Sequence, residues 1–182
     1  LLTIGQYAFE NCTALKSIEF PEGLNKISHN AFINCISITE VIIPDSVTHL
    51  QGFNGCTNLS SIKIGCNVEE IGSNAFTDCA LLTEVKLPDS LKGIYNYAFD
   101  GCINLKNALM PDSVEVLGYA AFRNCESLKE FNYPASLKEM YGDNWSQGHV
   151  LEGCPLITKV EVPEGVVKIP NWTFWGCNYL KE

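Results

Sequence analysis

The sequence contains no apolar run near the roughly 20 residues that a membrane-spanning helix needs, so direct membrane insertion of this segment is not expected. It also lacks a basic excess. Twelve Lys and Arg stand against 21 Asp and Glu, and a net charge of −9 repels phosphate backbones, which sets nucleic acid aside as a partner. No basic leader and no initiator Met precede Leu1-Leu2-Thr3-Ile4, so the segment reads as part of a longer array. Motifs of catalysis are missing too: there is no Gly-x-Ser-x-Gly, no His-Glu-x-x-His, no phosphate-cradling glycine loop and no dinucleotide fingerprint. The three histidines, His29, His49 and His149, stand beside no nucleophile in any recognised arrangement. These absences point away from an enzyme, and no cofactor is expected.

Cysteine, by contrast, is plentiful, with nine in 182 residues. No two are spaced Cys-x-x-Cys, which argues against zinc fingers and thioredoxin-like redox sites. Their spacing is periodic instead. Cys12, Cys35, Cys56, Cys79, Cys102, Cys125, Cys154 and Cys177 are separated by 23, 21, 23, 23, 23, 29 and 23 residues, and only Cys66 falls outside. A period in the low twenties is that of a solenoid, whose turns can bury their apolar faces only against one another.

Other features keep the same step. An Ala-Phe pair precedes most of the periodic cysteines, as at Ala31-Phe32, Ala75-Phe76, Ala98-Phe99 and Ala121-Phe122, with Val150-Leu151 as a degenerate copy. After each Cys comes a run of the form apolar-x-x-apolar-x-apolar, such as Ile38, Val41 and Ile43. Its last positions alternate with polar residues, the period of a half-buried strand, and the run is therefore read as the strand of each turn. Pro21, Pro44, Pro88, Pro111, Pro134 and Pro163 end these runs, because Pro cannot donate to a continuing ladder. A second apolar pair follows, as at Leu24 and Ile27, and is read as a looser segment leading back to the next alanine. The residue before each periodic Cys is Asn, Asp or Gly, which predicts a left-handed residue closing a short helical or 3₁₀ segment in every turn.

Taken together, apolar-x-x-apolar-x-apolar-Pro, Val-x-x-Ile and Ala-Phe-x-x-Cys resemble the BspA-type (Treponema-like) leucine-rich repeat, a class of surface proteins in bacteria and some protozoa. The resemblance covers essentially the whole chain, 1–182, as a single domain. It implies a right-handed leucine-rich-repeat solenoid of about eight turns, with a parallel sheet on the concave face and short helical or irregular convex segments. Functionally it implies a secreted or cell-surface adhesin whose partner is a protein, from a host matrix or a cell surface. An intracellular scaffold or spacer is the other reading, and a shared fold does not decide between them.

The periodic cysteines are expected to be small buried apolar residues rather than disulfides, since in-register side chains point in parallel. Cys66 is expected to be an exposed thiol. The acidic turn positions Glu22, Asp45, Asp89 and Asp112 are read as turn formers, with calcium the weaker alternative. One outward strand column runs through Ile42, Lys63, Lys86 and Leu109, placing two apolar side chains on a solvent-facing surface of the kind solenoids use to bind partners. The sixth turn is six residues longer than its neighbours, and its insertion offers Tyr141, Trp145 and His149 as a second recognition candidate. Trp172 and Trp175 in the last turn are expected to be exposed.

Overall fold

The computed structural model describes residues 2–140, 148–164, 166 and 169–182. The chain winds as a parallel β-solenoid with one core running its length, walled by the same few positions of every turn. Its main sheet has seven strands: β1 (Leu2–Ile4), β2 (Leu24–Ile27), β4 (His49–Leu50), β6 (Glu70–Ile71), β7 (Gly93–Ile94), β8 (Val116–Leu117) and β9 (Glu139–Met140). Each pairs in parallel with the next turn, Ile27 opposite Leu50, Leu50 opposite Ile71 and Ile71 opposite Ile94. The corresponding segment of the eighth expected turn includes positions outside the described residues.

This sheet lies where the sequence pattern suggested the looser segment, and the expected strands are the more broken set. Among the described residues, the apolar-x-x-apolar-x-apolar runs form one two-stranded sheet, β3 (Glu40–Ile42) with β5 (Ser61–Lys63), and isolated bridges joining Glu84, Asn107 and Glu130. The reason is that alternating burial reports which face a residue occupies, not whether its backbone finds a ladder partner. Side chains can take the ladder's place. Asn132 accepts from the Met110 amide through Oδ1 and donates to the Met110 carbonyl through Nδ2, both at 2.8 Å, closing a side-chain bridge between those turns.

The expected helical segments are not helical either. They are successive hydrogen-bonded turns, in which Cys35 N donates to Phe32 O and Ile33 N to Asn30 O, as in the equivalent positions of other turns. A helix does not propagate because each segment is held between two left-handed residues. The second of these is the one expected: Asn11, Asn34, Gly55, Asp78, Gly101, Asn124, Gly153 and Gly176 all have positive φ. The first was not expected, and in most turns it lies four residues earlier, at Tyr7, Asn30, Asn74, Tyr97, Ala120, His149 and Trp172. Few of those residue types advertise positive φ in a sequence.

From Asn34 through Gly153 the expected position alternates Asn or Asp with Gly for a packing reason. A Cβ on Gly55 would lie 2.2 Å from Asn34 Oδ1, and one on Gly101 would lie 2.4 Å from Asp78 Oδ1. In these turns a side chain that reaches along the stack leaves no room for one on the next, whereas Asn11 and Asn34 fit together through a hydrogen bond from Asn34 Nδ2 to Asn11 Oδ1 at 3.0 Å. The rim residues also bond between turns: Ser46, Ser90 and Ser113 each donate to the carbonyl one turn back at 2.7 Å, and Asp45 Oδ1 accepts from the Cys66 amide at 2.8 Å.

Inside, the Ala-Phe column forms a ring stack. Phe9, Phe32, Phe53, Phe76, Phe99 and Phe122 follow one another with centroids 4.8 to 5.9 Å apart and planes within 17° of parallel. Val150 and Leu151, the degenerate copy, are equally buried and continue the column. Beside it, the cysteines make a ladder of free thiols. Each Sγ donates to the carbonyl of the column residue one turn back, from Cys35 to Phe9 at 3.0 Å through to Cys177 to Leu151 at 3.3 Å. Burial pushes the Cys56 thiol up to about 12 and Cys79 and Cys125 well above the usual thiol range, which favours the neutral thiol in the middle of the ladder; Cys12, expected to be buried, is exposed, as no described turn packs on its outer side.

Two predictions follow from this core. Titration with an aromatic disulfide reagent should find Cys12 and Cys66 reactive in the folded protein, half-buried Cys177 slower, and all nine thiols only after unfolding; a count below nine in denaturant would mean that native disulfides exist. Phe99→Ala should destabilise by about 3–5 kcal/mol in urea unfolding, because it cuts a fully buried ring out of the stack.

Candidate functional site

The expected binding column is continuous on the surface. In β3 and β5 the pattern is exposed, buried, exposed: Val41 and Ile62 point into the core while Ile42 and Lys63 stand opposite each other outside. Lys86 and Leu109 continue the column through the next two turns, both exposed. Ile42 is 65% and Leu109 53% exposed, on a face whose neighbouring column carries Ser17, Glu40, Ser61, Glu84, Asn107 and Glu130. Four consecutive turns therefore present apolar, basic, basic, apolar.

The surface around this column is hollowed. A groove of about 470 Å³ runs between Lys63, Lys86, Cys66 and Asp89, floored by Ile64 and Leu87. Leu109 separates two further hollows, one of about 710 Å³ toward Asp89, Asp112 and Asn132 and one of about 310 Å³ toward Glu130 and Lys159. Among the described residues neither Lys63 nor Lys86 has an ion-pair partner within 4 Å, whereas Arg123, Lys138 and Lys159 are paired. The Asp45 carboxyl is held below its usual range chiefly by the Cys66 amide, with its thiol next and Lys63 a lesser cause. The same carboxylate raises the pKa of the Cys66 thiol, which is exposed as expected but is thereby the less nucleophilic.

The other candidates are placed differently. Tyr141 and Trp145 lie outside the described residues. His149 belongs to the Ala-Phe segment of its turn, away from the Ile42 to Leu109 column, with its ring mostly enclosed. It lies 5.3 Å from the Tyr119 ring and stacks on Trp172 at 6.2 Å, and its Nδ1 meets the Glu152 carboxylate. Trp172 and Trp175 are 51% and 58% exposed and meet edge to face.

The sequence reading missed a charge pair on that same segment. Arg123 donates to Asp100 through Nε at 3.0 Å and Nη2 at 2.6 Å, and its guanidinium lies 5.3 Å from the Tyr97 ring centroid. Asp100 is only 7% exposed, so the forked bond compensates a buried carboxylate. The available signal was two opposite charges one period apart, at 100 and 123.

The inter-turn ladders, the phenylalanine stack and the outward polar columns define a leucine-rich-repeat solenoid. The sequence pattern of the BspA type leucine rich repeat region matches residues 1–52 and 51–181, in six copies. The chain belongs to that family. The crystal structure of a T. pallidum leucine-rich repeat protein is similar over 89% of this chain and 75% of its own, at 29% identity and a TM-score of 0.76. A leucine-rich repeat protein from Bacteroides ovatus matches 90% of this chain at 30% identity and a TM-score of 0.78, and the chain spans 41% of its length. One from Eubacterium ventriosum, at 23% identity and a TM-score of 0.71, shares the fold. No curated protein matches the chain significantly. Among the described residues, no helix is long and apolar enough to cross a membrane.

The exposure of Ile42 and Leu109 implies that neither holds the fold together. Ile42→Ser with Leu109→Ser should leave the melting temperature within about 2 °C of the parent by circular dichroism. A larger drop would show that both belong to the core.

Proposed function

We propose that this chain is a protein-binding module of a secreted or cell-surface adhesin, which engages a host or neighbouring-cell protein across the face bearing Ile42 and Leu109. The observation that carries the reading is the exposure of those two side chains, at the ends of a lysine pair and beside grooves, on a surface otherwise built of polar residues. A partner that covers them removes apolar area from water without disturbing the core, which is how anchor residues contribute to binding. The BspA-type class, found in surface proteins, supports placing the module outside the cell.

The test has two arms. An antibody against the segment should label intact cells that make it, and the purified protein should adhere to matrix proteins or cells in a way that Ile42→Ser with Leu109→Ser reduces at least about tenfold. Labelling only after permeabilisation would replace the adhesin with an intracellular scaffold. Undiminished adhesion would move the contact to another face.

A further inference from the structure

The column's order and spacing are specific enough to say what would lie on it. Successive turns are about 4.8 Å apart, so Ile42, Lys63, Lys86 and Leu109 stand about 0, 5, 10 and 14 Å along the stack. Ile42 pairs directly with Lys63, the third and fourth turns keep their 23-residue offset where Ile71 pairs with Ile94, and Glu84 pairs with Asn107 one turn further on. An extended peptide advances about 3.3 Å per residue and directs alternate side chains to one face. Laid along the stack, it brings residues i, i+2 and i+4 to about 0, 7 and 13 Å. The outer two fall on Ile42 and Leu109, and the middle one falls midway between the two lysines.

We infer that the face recognises an extended peptide segment of the form apolar-x-acidic-x-apolar, in which one carboxylate bridges the Lys63 and Lys86 ammonium groups and the flanking apolar side chains cover Ile42 and Leu109. Charge complementarity supports this occupant. In a chain of net charge −9, the column sets two lysines in adjacent turns, neither with an ion-pair partner within 4 Å among the described residues although Lys63 acts weakly on Asp45, and a single carboxylate between them relieves their mutual repulsion. The neighbouring column limits the acid to one position. Glu40 and Glu84 lie beside Ile42 and Lys86, and would repel a second carboxylate on their side. The inference rests on the binding face proposed above and adds the chemistry of what it takes.

A fluorescein-labelled peptide Gly-Leu-Ser-Glu-Ser-Leu-Gly tests it by fluorescence anisotropy. It should bind at least about tenfold more tightly than the same peptide with Gln for Glu, or than Gly-Leu-Glu-Ser-Ser-Leu-Gly, whose acid faces away from the sheet. Lys63→Ala with Lys86→Ala should abolish the preference for Glu over Gln and leave the melting curve unchanged, both side chains being exposed. Ile42→Ser with Leu109→Ser should weaken all three peptides alike. Equal binding of the three, or no binding of the first up to about 1 mM, overturns the inference. Lysine-dependent binding of dextran sulfate, indifferent to Ile42 and Leu109 and unmatched by any peptide, would replace the peptide with an anionic polysaccharide. If cell adhesion still depends on Ile42 and Leu109 while the peptides fail, the face stands and the proposed occupant falls.

Discussion

The amide of each column phenylalanine donates to a carbonyl one turn ahead, Phe32 to Gly52 and Phe76 to Ala98, while the thiol one turn ahead donates back to the phenylalanine's own carbonyl. Those two bonds, with the ring stacked between them, fix the register of every turn on the next. No turn of about 23 residues could bury its own apolar face, so the register is a condition of stability for all of them. It also explains why cysteine recurs. The site takes a side chain small enough to pack beside the ring and able to give a second, weak hydrogen bond to a buried carbonyl that already accepts the Cys amide of its own turn, and a thiol does both at little desolvation cost.

Because the register is carried chiefly by the interior and the turns, most outward positions are free of it, Asn132 with its bridge to Met110 being an exception. They can differ from turn to turn without disturbing the stack, and they do: the column that reads Ile42, Lys63, Lys86 and Leu109 reads Glu19 before them and Asn132 and Glu161 after. A solenoid of this kind is therefore a ruler with a fixed step on which chemistry is written one residue per turn. The same constraint shapes the Ala-Phe segment, where Asp100 and Arg123 meet as a forked ion pair because the step brings successive residues of one column within side-chain reach. The His149, Tyr119 and Trp172 contacts arise in the same way.

The periodic signal, the cysteine column where it is buried from Cys35 to Cys154, the left-handed residue before each Cys and the exposure of Ile42, Leu109 and Cys66 were legible in the sequence, because each depends on residue size, polarity or backbone tolerance. Which segment of the turn carries the continuous sheet was not legible. Apolar residues mark both Leu24 with Ile27, three apart, and Val41 with Ile43, two apart, as inward-facing, and only the placement of one turn on the next decides whose amides reach a carbonyl. The first left-handed residue of each turn was hidden for a related reason: Tyr97 and Ala120 have no preference of their own for positive φ, and their amides are tied to Tyr119 and Gly148 of the next turn. Nor could the sequence give the mostly enclosed ring of His149 or the Asp100–Arg123 fork, which exist only between turns. Local chemistry determined the repeat and its faces, and the distance between neighbouring turns decided which groups touch.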